Sequence, residues 1–164
     1  MFDEIKANVS NWEDDDEICA YLEKILKKEA GDGSGLIYGM GHAIYTKSDP
    51  RALVLRHSAR SLAEKTGHLK ELELLESIER LSPDVFHRVT GSDNAMCANV
   101  DFYSGLVYRM LNIPEELFTP LFAIARISGW CAHRIEEVMT GGRIIRPAYK
   151  SLNQNRNYVP MSKR

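Results

Sequence analysis

The sequence predicts an all-α protein, and three observations carry that expectation. Apolar residues recur at helical spacing, as in Ile18, Tyr21, Leu22, Ile25 and Leu26, where steps of three and four turn one face of a helix towards a core. Alternation of apolar and polar residues never lasts beyond a few positions, so no half-buried strand is indicated. Residues that start and stop helices punctuate the pattern.

In chain order, the first helix has Asp14 to Glu17 loading its first turn and Lys24, Lys27 and Lys28 towards its end, both placements that suit the helix dipole. Gly31 is its expected stop. Residues 31–41 read GDGSGLIYGMG. Five glycines in eleven positions exclude a helix interior, so a loop is expected, with a short extended piece at Leu36, Ile37 and Tyr38. Asp49-Pro50 opens the next helix, the aspartate as N-cap and the proline at the first helical position. Ala52, Leu55, Ala59, Leu62 and Ala63 form its buried face, and Gly67 ends it. A further helix runs from Leu72 to Leu81 and closes at Ser82-Pro83; a short piece at 84–88 and a polar turn, GSDN, at 91–94 follow. Tyr103, Leu106, Val107, Met110 and Leu111 repeat the helical pattern until Pro114. Thr119-Pro120 caps a longer helix through Leu121, Ile124, Cys131, Ile135 and Val138, stopped by Gly141-Gly142. Residues 150–164 are polar and read as an extended tail.

The 164 residues, with 44% hydrophobic and 27% charged side chains, suffice for one ordinary globular domain with a core. A net charge of −2 provides no basic footprint for nucleic acid. No apolar run approaches the roughly 20 residues of a membrane span. The acidic N-terminus, MFDEIKANVSNWEDDDE, lacks the apolar core of a signal peptide. Cys19, Cys97 and Cys131 are far apart and read as reduced thiols of a cytoplasmic protein. No Cys/His spacing suggests a metal site.

Four local features point towards chemistry. In Gly39-Met40-Gly41-His42, glycines allow a ligand close to the backbone and the histidine is placed to polarise a carbonyl or act as an acid; the plainer reading is a glycine turn with a surface histidine. In Asp49-Pro50-Arg51 the arginine is either solvated or, nine residues after His42, placed to share a pocket with it and grip a carboxylate through two parallel hydrogen bonds. In Asn99-Val100-Asp101-Phe102-Tyr103, Asp101 is either a helix-start carboxylate or a general base held among apolar and aromatic neighbours. Arg126 lies inside the apolar run LFTPLFAIARISGW, where an arginine needs an ion pair, a bound anion or a route out of the helix. Arg146, in RIIRP, has no such peculiarity of its own.

Together and in this order, GMGHAIYTKSDPRA at 39–52, NVDFYSGLVYRMLNIP at 99–114, LFTPLFAIARISGW at 117–130 and RIIRP at 143–147 resemble citrate synthase. The resemblance covers about residues 1 to 150. It implies a multihelical fold, mainly that family's small domain, and condensation of acetyl-CoA with oxaloacetate to citrate and coenzyme A. His42 is similar to the histidine that hydrogen-bonds the oxaloacetate carbonyl and protonates it. Asp101 is similar to the base that takes a methyl proton from acetyl-CoA. Arg51, Arg126 and Arg146 are similar to the arginines that hold the carboxylates, and the family's last arginine reaches into a partner's site, which implies a homodimer. Gly35, Leu36, Ile37, Tyr38, Gly39, Met40 and Gly41 resemble part of the coenzyme A site. No tightly bound cofactor is implied; acetyl-CoA enters as co-substrate.

The resemblance divides the chain into a small coenzyme A-binding domain at 1–113 and a segment at 114–164 that belongs to the large domain. The family's further histidine, in an HGxxN-type segment that serves the enol oxygen, has no match here. Met1 accordingly reads as a start inside a longer protein, and the chain alone is expected to be inactive. Leu117, Phe118, Leu121, Phe122 and Trp130 are then expected to lack their usual neighbours and to promote self-association. Ala98 stands where the family often has proline, and Thr46 where some members have a basic residue near coenzyme A. Two other readings remain: a 2-methylcitrate synthase using propionyl-CoA, and a non-catalytic helical module for binding or assembly.

Overall fold

A computed structural model describes residues 1–94, 96–141 and 160–163. These residues form six α-helices: α1 (Phe2–Asn8), α2 (Asp15–Leu26), α3 (Pro50–Thr66), α4 (Leu69–Thr90), α5 (Val100–Met110) and α6 (Phe118–Met139), with 3-10 turns at Glu115–Leu117 and Met161–Lys163. Among the described residues there is no strand, only one antiparallel bridge between Met40 and Ala98. The chain divides into two compact units, Met1–Leu121 and Phe122–Arg164.

The first unit is a packed set of helices whose ends are chemically defined. The Asp14 side chain accepts from the backbone N–H of Asp16 and Glu17 and starts α2. Asp49 accepts from the N–H of Arg51, with Pro50 in the first turn, and starts α3; Gly67, at φ 79°, ends it. Asn99 accepts from the N–H of Asp101 and starts α5. Each such cap contributes ~1 kcal/mol. In the core, α2 packs on α4, and α3 on α5 and α4. Ile18 and Leu22 of α2, Ala59 of α3, Ile78 and Val85 of α4 and Tyr103 of α5 are among its buried residues.

Three features correct or add to the expectations. First, α4 does not close at Ser82-Pro83 but continues to Thr90 with Pro83 inside it. Ser82 is fully buried, its hydroxyl donates to the Ile78 carbonyl at 2.6 Å, and Val85 is fully buried on the far side of the proline. Core packing on both sides outweighs the local cost of a proline in a helix interior, which is ~3 kcal/mol. Second, the N-terminal stretch forms α1, seated by the fully buried Ile5 and by an ion pair of Lys6 with Glu71 at 2.5 Å. Third, α6 begins at Phe118, directly after a 3-10 turn, rather than at a Thr119 cap. Leu36 to Tyr38 form no strand; Ile37 alone is buried, at 4% exposure.

No residue of α6 is buried. Phe122, Ile124, Ile127 and Trp130 are exposed. α6 ends at Met139, and Gly141 follows at φ 90°, as the expected glycine stop requires; Gly142 and most of the polar tail fall outside the described residues.

Candidate functional site

The loop between α2 and α3 is joined to the start of α5 by a short clamp. Gly41 N–H donates to the Cys97 carbonyl at 2.7 Å, and Asn99 N–H donates to the Gly39 carbonyl at 2.8 Å. The Asn99 side chain works in both directions. Its Nδ2 donates to the Gly41 carbonyl at 2.9 Å, while its Oδ1 accepts from Asp101 N–H at 3.0 Å. One side chain therefore holds the loop that leads into His42 and the helix turn that bears Asp101. Gly39 permits the approach. It sits at φ +82°, and a Cβ there would lie 2.7 Å from the Phe102 Cα.

His42 is oriented by its own turn. Its Nδ1 accepts from the N–H of Ile44 and of Tyr45, both at 3.0 Å. Two backbone donors on Nδ1 leave that nitrogen unprotonated, so the neutral ring carries its proton on Nε2. The Tyr45 ring lies against the imidazole, 4.7 Å between centroids. Nε2 stands 3.3 Å from Nη2 of Arg51. Both atoms then bear hydrogen and neither can accept from the other. Two adjacent N–H donors are a pair that an acceptor oxygen suits.

Arg51 is held from behind. Asp49, 1% exposed, accepts from Arg51 Nε at 3.0 Å and Nη2 at 2.8 Å while it caps α3. The guanidinium holds the Asp49 carboxyl down at about 2, and Asp49 in turn raises Arg51. The side chain of Arg51 is half exposed. With one edge fixed on Asp49, its remaining N–H groups are presented as an oriented fork. Arg51 stands beside His42, and Asn99 ties the loop that leads into His42 to the helix turn that bears Asp101, so segments from a loop, α3 and α5 are linked here.

Asp101 departs from the sequence reading in one respect. It is exposed rather than enclosed by apolar groups, because the first turn of α5 points its buried residues, Phe102 and Tyr103, the other way. A cleft of about 480 Å³ beside it is lined by Tyr38, Gly39, Asp101, Phe102, Gly105 and Phe118, among others. In the loop at 35–41, Tyr38 Oη donates to Asp32 at 2.6 Å, which closes the turn, while the Leu36 and Tyr38 side chains face solvent. Asp32 is held at about 2 by Ser34 and Tyr38. Arg126 belongs to the second unit. It is exposed and stacks 4.0 Å over the Phe122 ring. Arg146 lies outside the described residues. No cluster of His, Cys, Asp or Glu that could hold a metal occurs among the described residues, and no helix there is long and apolar enough to cross a membrane. Cys19, Cys97 and Cys131 are free.

Sequence reasoning missed the double role of Asn99 and the grip of Asp49 on Arg51. The N-cap position of Asn99 has a local signal. Its bond to Gly41, 58 residues away, has none.

The family model of the citrate synthase C-terminal domain matches residues 1–148. The citrate synthase of Synechocystis sp. is 41% identical over 145 residues, covering 88% of this chain and 34% of that protein. The citrate synthase of Deinococcus radiodurans is 44% identical over 116 residues, covering 71% of this chain and 29% of that protein. Among solved structures, the ternary complex of carboxymethyl coenzyme A and oxaloacetate with citrate synthase from Thermoplasma acidophilum superposes with a TM-score of 0.66 at 27% identity, over 99% of this chain and 40% of that one. The chain spans about a third of the length of these curated relatives. With the domain model matched along nine-tenths of its length and its helices superposing on a solved member, the chain belongs to the citrate synthase family.

Proposed function

We propose that this chain supplies the small-domain half of a site that condenses acetyl-CoA with oxaloacetate to give citrate and coenzyme A. The observation that supports this reading most is the pair of donors, His42 Nε2 and Arg51 Nη2, 3.3 Å apart, with Asp101 on the helix turn that Asn99 ties to the loop leading into His42. A ketone oxygen flanked by a carboxylate is the kind of ligand that such a pair suits. In this reading Asp101 removes a methyl proton from acetyl-CoA, and the enol carbon attacks the ketone carbon. His42 gives its Nε2 proton to the ketone oxygen, which becomes a hydroxyl. Water then cleaves the thioester and releases the thiol. Arg51, Arg126 and Arg146 hold the carboxylates, and residues 35–41 contact coenzyme A, the exposed Leu36 and Tyr38 offering surface for it.

The same reading makes 1–113 the small, coenzyme A-binding domain and 114–164 a segment that completes a large domain. It places the full assembly in the cytoplasm as a homodimer, with Arg146 serving a partner's site. The chain has no HGxxN segment for the enol oxygen, so alone it is expected to release no thiol. The test is a hybrid in which this chain replaces the matching third of the Synechocystis protein. With oxaloacetate and acetyl-CoA the hybrid should release thiol and the isolated chain should not. Faster release from propionyl-CoA would point to 2-methylcitrate synthesis. A folded hybrid that is inactive with both thioesters contradicts the condensing reading and favours a non-catalytic module.

A further inference from the structure

Tyr103 carries a hydroxyl into the core. The residue is 1% exposed, and its O–H donates to Oε2 of Glu79. The same oxygen accepts from Arg56 Nη1 at 3.2 Å. Burial and the charge of Glu79 push the phenol well above its ordinary range, so the proton stays on Tyr103 and Glu79 is the acceptor. One carboxylate oxygen of α4 thus joins α3, through Arg56, to α5, through Tyr103.

The two helices tied in this way bear the site. Arg51 lies five positions before Arg56 on α3, and Asp101 two positions before Tyr103 on α5. At 3.6 residues per turn, two positions are about 200° apart, which is why Tyr103 is buried while Asp101 is exposed. Any roll of α5 about its axis that shifts Tyr103 swings Asp101 through a similar angle on the opposite side. The close-packed apolar stripe of α5 limits such a roll, but through contacts that are non-directional. A hydrogen bond to a charged acceptor is directional and stronger. For packing alone, a phenylalanine would serve without desolvating a hydroxyl, a carboxylate and a guanidinium.

We propose that Glu79 is a positioning residue that sets the separation of Asp101 from Arg51 by fixing the roll of α5 against α3; this rests on the condensing reading of the site. In the hybrid, Glu79→Ala is expected to lower kcat about tenfold and leave the KM for each substrate within about twofold. Glu79→Gln, whose amide oxygen can accept both bonds, is expected to keep kcat within about threefold of the unsubstituted hybrid. Tyr103→Phe, which removes a single oxygen atom, is the second variant and should follow Glu79→Ala. A kcat within about threefold for both Glu79→Ala and Tyr103→Phe, or a loss carried by KM alone, overturns the proposal. If the unsubstituted hybrid releases no thiol, it is the condensing reading that fails. The positioning role is then decided by crystal structures of this chain and its Tyr103→Phe variant. A shift of the Asp101 carboxyl by about 0.5 Å or more relative to the Asp49–Arg51 pair is expected, and superposition within coordinate error overturns it.

Discussion

At the scale of single residues, the site depends on a few atoms whose roles can be separated. Asn99→Asp keeps the oxygen that caps α5 but loses the Nδ2 donor to Gly41. It should retain the helix while the Gly41 amide, which bonds to Cys97, exchanges with solvent faster; Asn99→Ala should lose both and cost ~1–2 kcal/mol more than the aspartate. Amide exchange and urea unfolding distinguish the two. Gly39→Ala meets a positive φ and the Phe102 backbone together, whereas Gly33→Ala meets the positive φ alone, with nothing within 4 Å. Gly33→Ala should therefore cost ~1–2 kcal/mol and Gly39→Ala clearly more, as read from urea midpoints. Asp49 gives the acid response its sign. Its folded carboxyl is held at about 2 by Arg51, below the ~3.9 of an unfolded aspartate. The stability it adds is present in full above about pH 4 and is lost as pH falls through about 2. Asp49→Asn preserves a good cap but not the charge. The stability gap between wild type and Asp49→Asn should thus stay level at neutral pH and close between about pH 4 and 2; a gap that widens on acidification contradicts this.

At the scale of elements, local signals located most helices. Asp49-Pro50 and Gly67 bound α3 at both ends as the sequence predicts, because caps act within one turn and need no tertiary partner. Pro83 misled for the converse reason. Its cost is local, but the burial that outweighs it comes from Ser82, Val85 and the packing of α2 on α4. Restoring the missing N–H should then help rather than harm. Pro83→Ala is expected to raise the urea midpoint, by ~1 kcal/mol or more after the greater freedom of the unfolded chain is counted. A drop in stability would mean that the proline ring itself fills space that alanine leaves empty. The seating of α1 could not be read in advance either. Lys6 reaches Glu71, and Arg109 reaches Asp3, across 65 and 106 residues, and partly exposed pairs of this kind leave no pattern in the sequence and contribute ~0–1 kcal/mol each.

At the scale of the whole molecule, family membership was legible from four ordered strings, and the structure adds contacts that link the segments bearing three of their residues. His42, Arg51 and Asp101 come from separate stretches of chain; the Asn99 bond to Gly41 spans 58 residues and follows no spacing rule, whereas the grip of Asp49 on Arg51 is local, two residues apart. Arg126 and Arg146 were equally readable as residues, but the first is described only within the second unit and the second lies outside the described residues. Phe122, Ile127 and Trp130 of α6 are exposed, and the chain spans about a third of its curated relatives. The central claim, that this third holds the acid and the base of a condensing site, is tested most directly by thiol release from acetyl-CoA and oxaloacetate in the hybrid with the Synechocystis protein, with and without Asp101→Asn. The unsubstituted hybrid should turn over, and the substitution should lower its rate about 100- to 10,000-fold, the range expected for loss of a general base. Turnover that survives Asp101→Asn within about threefold would contradict the claim.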